Sequence, residues 1–207
     1  SSIKKAKLKN FNISIDGNQY GNSSFRQDEY LLTGCLTFYN LEVENISIVS
    51  RNTNCEDAIN IINSFGSIKS IDISNSLFDG LDLDFSNINI KEAYISNVGN
   101  DCLDLSAGEY FIEKIILFVC EDKGISVGEN TGFKSEAIEL TNSNIGIAIK
   151  DSSQSEVNIL NIDESEYCTA IYRKKQEFMG SNLTIEKLNC TSGVNYVQKG
   201  SVLDVRS

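Results

Sequence analysis

Residues 80–83 read Gly80-Leu81-Asp82-Leu83, and 22 residues later the chain reads Cys102-Leu103-Asp104-Leu105. Both segments place a small residue before an aliphatic, a polar and a second aliphatic residue. The same pattern begins at Ala58, Gly124 and Gly146, again at steps of 22 residues, and another copy, Ala170-Ile171-Tyr172, follows after 24. A fixed period of this size predicts a solenoid, because one repeat cannot bury its own apolar face and must stack on a neighbour.

Each turn is predicted to consist of strands, because its apolar residues alternate at period two and are β-branched or Leu. A second alternating run lies further along each copy, as in Ile71-Asp72-Ile73 and Ala93-Tyr94-Ile95. Two or three short strands per turn, joined by Asn, Gly, Ser and Asp corners, are typical of a right-handed parallel β-helix. The predicted fold class is therefore all-β, with coils of about 22 residues.

The repeat occupies residues 34–207, and the chain is predicted to be one domain. Residues 1–33 fit the period poorly and are predicted to form an N-terminal cap or edge strands, since an exposed solenoid end is an open sheet edge. At the corners, Asn75 and Asn97 lie one period apart. We expect their side-chain amides to stack and to hydrogen-bond along the ladder.

Three segments carry a resemblance to a known family: Gly80-Leu81-Asp82-Leu83-Asp84-Phe85-Ser86, Val98-Gly99-Asn100-Asp101-Cys102-Leu103-Asp104-Leu105-Ser106, and Asp122-Lys123-Gly124-Ile125-Ser126-Val127-Gly128-Glu129. With the Ser-Asn corners at residues 74–75 and 96–97, they resemble the right-handed β-helix of the pectin-lyase-like superfamily. That superfamily includes pectate lyases, polygalacturonases, alginate epimerases and phage tailspikes. The resemblance implies an extracellular protein that meets carbohydrate, and it specifies fold better than chemistry.

Charge and composition exclude several partners. The chain has 29 acidic and 18 basic residues, no histidine, and a formal charge of −11, so a nucleic-acid backbone or an anionic membrane surface would be repelled. No apolar run has the length of a membrane span, and the N-terminus lacks a signal-peptide core. The composition predicts no nucleic-acid partner and no membrane insertion. The resemblance implies a secreted or cell-surface module, and we expect it to belong to a larger protein or assembly.

The missing histidine also excludes common catalytic systems. Ser-His and Cys-His nucleophiles, a histidine base and imidazole metal ligands cannot form. Enzymes that resemble polygalacturonases or alginate epimerases would be expected to use a histidine, so both activities are excluded in their usual form.

The six cysteines fall into pairs on the repeat register. The pairs are Cys35 with Cys55, Cys102 with Cys120, and Cys168 with Cys190, and the members of each pair are separated by close to one period. Each pair could bridge neighbouring turns if the side chains face each other. The alternative is that each thiol fills the core as a small apolar group, and the sequence leaves the two interpretations open.

Carboxylates collect on one outward face of the predicted helix. Stacking the turns places one ladder at Asn60, Asp82, Asp104, Ser126, Ala148 and Tyr172, and a second at Asp57, Asp79, Asp101 and Lys123. Neighbours on a ladder are about 5 Å apart, where two unit charges repel by about 1 kcal/mol even in water. A counter-charge would offset this repulsion, and calcium, which takes carboxylate oxygens, is the candidate ion. The predicted metal ligands are Asp82, Asp84 and Asp104, and the predicted binding residues are Asp79, Asp82, Asp84, Asp101, Asp104 and Tyr172.

A structural role for the same residues is the alternative. An acidic β-helix must place polar side chains outward on every turn, and Asp and Asn are favoured at strand ends because they cap corners. On this interpretation the ladder is a solvated or corner-capping surface, and no cofactor is required.

Basic residues follow the acidic turns along the same face. A lyase that acts by β-elimination needs a cation beside the uronate and a Lys or Arg base, and Lys150 and Arg173 are the candidates for that base. Against this, Arg173 is expected to interrupt the inward column of Ile61, Leu83, Leu105, Val127 and Ile149, so that the last copy bulges and the basic residues form a solvated rim.

The function predicted from sequence is that of a non-catalytic extracellular β-helix module that binds carbohydrate or serves as an adhesion or surface scaffold. The alternative is a calcium-dependent polysaccharide lyase acting on an acidic polysaccharide, and a purely structural spacer is the third hypothesis. Short corners favour the first prediction, because an enzyme needs long loops to wall a groove.

Overall fold

The computed structural model describes residues 6–17 and 31–206, and these residues form an all-β parallel solenoid of about 8 turns without a helix. The alternating apolar sequence forms fifteen strands: β1 (Ala6–Lys9), β2 (Asn12–Asp16), β3 (Gly34–Tyr39), β4 (Leu41–Thr53), β5 (Asp57–Ile62), β6 (Phe65–Ser76), β7 (Asp79–Asp84), β8 (Asn87–Val98), β9 (Leu103–Ser106), β10 (Glu109–Gly128), β11 (Gly132–Lys150), β12 (Gln154–Tyr172), β13 (Asn182–Cys190), β14 (Val194–Val197) and β15 (Val202–Val205). Every recorded strand pair is parallel. The predicted fold class is confirmed.

Each turn has three faces. One face, called the site face here, contains β3, β5, β7, β9, the C-terminal ends of β10, β11 and β12, and then β14. The other two faces are formed by β4, β6 and β8 and by the longer parts of β10, β11 and β12. These strands bend around the corner between the two faces. At the N-terminal end, β1 and β2 pair with β4 as edge strands. Residues 1–5 and 18–30 lie outside the described residues, so an N-terminal cap stays a prediction.

The core consists of aliphatic columns that run along the solenoid axis. Leu81, Leu103, Ile125 and Ile147 pair in successive turns of the site face and have no exposed surface. Burial of β-branched and Leu side chains in such columns is the main stabilising term of the fold, worth about 1.5–3 kcal/mol for each side chain. The register predicted from the 22-residue period is therefore confirmed here.

Asparagine shapes one of the corners. Asn52, Asn75 and Asn97 have φ angles of 55°, 58° and 55°, in the left-handed region that Asn tolerates better than most residues. The amide nitrogens of Asn75 and Asn97 donate to the carbonyl oxygens of Asn52 and Asn75 at 3.1 and 3.2 Å. The predicted amide ladder is confirmed.

The register at the last copies differs from the sequence prediction. Ala148 pairs with Ala170 and Ile149 with Ile171, so the step is still one regular period and the inward column continues through Ile171. The prediction that Arg173 interrupts this column is wrong, because Arg173 follows the end of β12. The extra residues come later, between β12 and β13, where Gln154 pairs with Asn182.

Three disulfides join the cysteines in the pairs that the register suggested. Cys35–Cys55, Cys102–Cys120 and Cys168–Cys190 have Cα–Cα distances of 5.3, 5.4 and 6.3 Å. These distances lie in the range that a disulfide spans. Each bridge closes a loop of about one turn, so it ties neighbouring turns together.

Candidate functional site

The outward side of the site face forms a trough with a floor and two walls. The floor follows the register from turn to turn through Asn60, Asp82, Asp104, Ser126, Ala148, Ala170 and Tyr196. One wall contains Asp79, Asp101, Lys123, Ile145 and Tyr167, and the other contains Asp84, Ser106, Gly128, Lys150 and Tyr172. The chemistry of the trough changes along the axis from carboxylic, through small, to aromatic.

This register moves one of the predicted binding residues. Tyr172 pairs with Lys150 and therefore lies on a wall, whereas the floor at that turn is Ala170. The sequence prediction placed Tyr172 on the floor because it took Ala170 as the small residue that begins the last copy. The predicted acidic residues Asp82 and Asp104 do lie on the floor, with Asp84 on the wall beside them.

Asp79 and Asp101 connect successive turns. Asp79 Oδ1 accepts the backbone N–H of Asp101 at 2.9 Å and the Asn100 side-chain amide at 2.6 Å. Asp101 Oδ1 in turn accepts the backbone N–H of Lys123 at 3.1 Å and its ammonium at 3.2 Å. Both carboxyls therefore cap backbone donors of the next turn. This is the corner-capping role that the sequence analysis gave as the alternative to a binding site. Burial raises the pKa of Asp101 to about 6, although the charge of Lys123 acts against the rise.

Asp82 and Asp84 form a carboxyl pair. The amide nitrogen of Asn60 donates to Asp82 Oδ2 at 3.0 Å and to Asp84 Oδ2 at 3.2 Å, so one amide bridges the two carboxyls. Burial, followed by repulsion from neighbouring carboxylates, raises the pKa of Asp82 well above its usual range, and burial also raises that of Asp84. Protonation of one carboxyl of the pair would offset the repulsion for which the sequence analysis proposed a calcium ion as counter-charge.

The acidic residues do not form an evident cation cage. In the described ranges 6–17 and 31–206, no three His, Cys, Asp or Glu side chains are arranged so that they could hold a metal ion. Asn60 already donates to one oxygen of Asp82 and one of Asp84, which calcium would require as ligands. The residues present therefore fit a hydrogen-bonded carboxyl pair better than a resident calcium ion.

Lys150 lies across the middle of the trough. Its Nζ is 2.6 Å from Ser126 Oγ, and its side chain passes over Gly128, where a β-carbon would come within 3.5 Å of Lys150 Cε. Lys150 is 7% exposed, and this burial lowers the pKa of its ammonium group, although the charge of Asp104 acts against the decrease. A lysine in this state supplies a neutral amine more readily than a surface lysine does.

A buried aspartate holds the segment after β12 beside Lys150. Asp151 is 1% exposed, and its Oδ1 accepts the backbone N–H groups of Lys174 and Lys175 at 2.7 and 2.8 Å. Lys175 is also ion-paired with Glu129. Arg173, the second candidate base, is exposed, and its backbone N–H donates to Gln198 Oε1 at 2.7 Å. Of the two predicted bases, only Lys150 is thus shown to contact a residue of the trough floor.

The aromatic end of the trough is a cleft. Ile145, Tyr167, Ala170, Tyr172 and Tyr196 line a cavity of about 260 Å³. The rings of Tyr172 and Tyr196 have their centroids 6.5 Å apart and are tilted by 59°. Sequence analysis missed Tyr196, because the last turn departs from the repeat, and it missed Ser126 and Asp151 as contacts of the basic residues, because nothing in the pattern distinguishes them.

Comparisons with protein families, curated proteins and solved structures gave no match. The resemblance to the pectin-lyase-like superfamily therefore stays a prediction, while the parallel solenoid itself is established by the strand pairing. None of the described residues belongs to a helix with the length and apolarity needed to cross a lipid bilayer.

Proposed function

We propose that this protein is an extracellular β-helix module that binds carbohydrate through the trough of the site face and serves as an adhesion or surface element of a larger assembly. The observation that carries the proposal is the continuous trough with acceptors at one end and an aromatic cleft at the other. Carbohydrates present hydroxyl donors on their edges and C–H groups on their faces. Carboxyl oxygens suit the first and tyrosine rings suit the second.

Two further features support this assignment. Three disulfides in a chain of 207 residues are typical of proteins from oxidising compartments, which favours a secreted or cell-surface location. The corners between the strands of most turns are short, as between Asp84 and Asn87, so no long loop at these corners covers the trough. An open trough suits a long chain that binds at an internal segment.

Binding is tested with immobilised neutral and acidic polysaccharides, each with and without calcium. We expect Tyr196→Ala to weaken retention, because Tyr196 is 47% exposed and closes the aromatic end of the trough. Tyr94→Ala is the matched control, since Tyr94 is 44% exposed on another face. Equal retention of both variants, or no retention of the unaltered protein by any polysaccharide, contradicts the proposal.

A polysaccharide lyase acting on an acidic sugar is the second candidate, and the placement of Lys150 favours it. Lys150 Nζ reaches the trough floor, and burial lowers the pKa of its ammonium group, which is the property that a general base needs. Calcium remains a proposed cofactor of this activity only. Ultraviolet absorbance of an unsaturated product, lost in Lys150→Met and kept in Arg173→Met, is the expected signature.

A further inference from the structure

The acidic end of the trough has more buried hydrogen-bond acceptors than donors. Asn60 and Asp57 are 0% and 2% exposed, yet Asn60 Oδ1 and Asp57 Oδ2 have no hydrogen-bond partner. Asp104 Oδ1, two turns along the floor from Asn60, is also buried without a partner. The Asn60 amide cannot be turned to correct this, because its nitrogen already donates to Asp82 and Asp84. An unsatisfied buried acceptor costs about 1–3 kcal/mol.

The missing partner must therefore supply N–H or O–H groups, and the surroundings favour a positive charge. Asp57, Asp79, Asp84 and Asp104 all act on Asp82 with the same sign. A metal ion would supply the charge, but the carboxyls lack the arrangement of a metal site. An ammonium group supplies both charge and three donors, and it accepts irregular acceptor geometry better than a metal does.

The opposite end of the trough identifies what carries the ammonium group. The cleft of Tyr167, Tyr172 and Tyr196 presents aromatic faces and phenol hydroxyls, which suit a sugar ring with apolar faces and polar edges. Asp104 and Ala170 are separated by three turns along the solenoid axis, roughly 14 Å at the usual strand spacing. A carbohydrate that reaches both ends therefore has several sugar units.

We propose that the trough binds an oligosaccharide that carries free amino groups, with an ammonium group beside Asp82, Asp84 and Asp104 and a sugar ring in the tyrosine cleft. This inference rests on the proposed carbohydrate-binding function and names the class of glycan. Asp82, Asp84 and Asp104 are each partly exposed as residues, although Asp104 Oδ1 itself is buried, so an ammonium group can approach this cluster from the trough.

Proton release provides a signature of this mode of binding. Burial and the neighbouring carboxylates Asp57, Asp79 and Asp104 raise the pKa of Asp82, and burial raises that of Asp84, so this pair takes up a proton at a higher pH than exposed carboxyls do. Lys150 is the cation of the trough on which the charge of Asp104 acts. An ammonium ligand favours the ionised pair, so the proton passes to the buffer as the ligand binds. A neutral sugar leaves the pair protonated and releases none.

The test is isothermal titration calorimetry of the whole chain at about pH 5.5, where the glucosamine amines are already charged and take up no proton on binding, with three ligands of equal length: a β-1,4-linked glucosamine hexasaccharide, its fully N-acetylated form and an oligogalacturonate. We expect the glucosamine hexasaccharide to bind about tenfold or more tightly than the acetylated form, the difference carried by one charge-assisted hydrogen bond. Titrations in buffers of different protonation enthalpy should show up to about one proton released for each glucosamine ligand.

Two variants separate the amine contact from the ring contact. Asp104→Asn should reduce the preference for the free amine, whereas Tyr196→Ala should weaken both glucosamine ligands alike. Glu139→Gln is the control, because Glu139 is exposed on another face and should change nothing. Asp82→Asn, which keeps the size of the side chain, repeats the first measurement if Asp104→Asn proves unstable.

The three ligands separate a failure of the amine assignment from a failure of carbohydrate binding. Equal binding of the amine and acetylated ligands, or stronger binding of the oligogalacturonate, overturns the amine assignment and leaves carbohydrate binding intact. Binding of calcium alone with loss of the glucosamine ligand also overturns it, because the carboxyls would then be a metal site. Failure of every glycan overturns the proposed function as well.

Discussion

Lys150 Nζ donates to Ser126 Oγ at 2.6 Å, across one turn of the solenoid and over the bare backbone of Gly128. The contact occupies the middle of the trough, between the carboxyl pair and the tyrosine cleft. A β-carbon at Gly128 would lie 3.5 Å from Lys150 Cε, an ordinary van der Waals distance, so the Lys150 side chain packs closely over this backbone. The contact with Ser126 thus places a buried amine where a ligand would pass.

Lys150 should make the free energy of unfolding depend on pH in the alkaline range. Burial lowers its pKa below the value of 10.5 that applies in an unfolded chain, so the folded protein binds this proton less tightly than the unfolded chain does. Stability from this group therefore rises with pH between the folded pKa and 10.5. We expect Lys150→Met to be more stable than the unaltered protein at pH 7, with the advantage shrinking as the pH approaches 10. Urea unfolding at several pH values measures this, and a constant difference would contradict it.

Asp57 should make the free energy of unfolding fall as the pH increases, which is the opposite of the effect of Lys150 and occurs at lower pH. Burial raises its pKa to about 7 from 3.8, so its stabilising contribution is complete below pH 3.8 and is lost as the pH rises through 7. Asp57→Asn should therefore raise the free energy of unfolding at pH 8 by up to about 4 kcal/mol and change it little at pH 4. Chemical denaturation at the two pH values decides this. Asp16→Asn, at an exposed site, is the control.

Leu103 should be essential to the core column of the site face. Leu103→Ala removes a side chain with no exposed surface and should lower the free energy of unfolding by about 2–5 kcal/mol. Leu77→Ala, at a site that is 57% exposed, should cost far less. Leu103→Asp should not fold, because it places an unpaired charge in the core. A Leu103→Asp protein that melts normally would disprove the register.

The three disulfides should differ in their resistance to reduction. Cys102 and Cys120 are 0% and 1% exposed, whereas Cys35, Cys55 and Cys190 are partly exposed. A reductant reaches a buried disulfide only after local opening, so Cys102–Cys120 should be reduced last under native conditions. Alkylation of the released thiols, followed by mass spectrometry of peptides, gives the order. Simultaneous reduction of all three bridges would show that they open together.

Val119 should be a weak point of the asparagine corner. Its φ angle is 58°, close to the angles of Asn97 and Asn142 at the equivalent position of the adjacent turns. A β-branched residue is strained in this conformation, and Asn is not. Val119→Asn should raise the melting temperature, with about 1 kcal/mol of stabilisation, by relieving the strain and extending the ladder. Val119→Ala removes only the branched side chain, so a smaller rise in that variant separates the two contributions.

The repeat was predictable from sequence because its period depends on many residues. The core columns and the pairing of Asp82 with Asp104 follow directly from the 22-residue step and the alternation of strands. The last copy was misplaced because Ala170 fits the small-residue position, although Cys168 occupies it. Local composition could not distinguish the two, whereas backbone pairing with Ala148 does.

For the candidate site, the sequence predicted which side chains form rows along the solenoid axis but not the contacts between them. The sequence placed the carboxylates near one another, and their mutual repulsion suggested a cation. It could not show that Asn60 bridges Asp82 and Asp84 or that burial favours a shared proton, because both depend on side-chain geometry and desolvation. The contact between Lys150 and Ser126 was beyond prediction for the same reason, whereas Tyr196 was missed because the last turn departs from the repeat.

The floor of the trough advances by one strand spacing with each turn, so the number of turns sets the distance between its two ends. Duplication of one 22-residue turn between Ser126 and Ala148 would move the tyrosine cleft about 4.8 Å further from the carboxyl pair while leaving both intact. Deletion of that turn would bring them closer by the same step. The length of ligand that such a protein recognises could therefore change through gain or loss of whole repeats, without any substitution in a residue that touches the ligand.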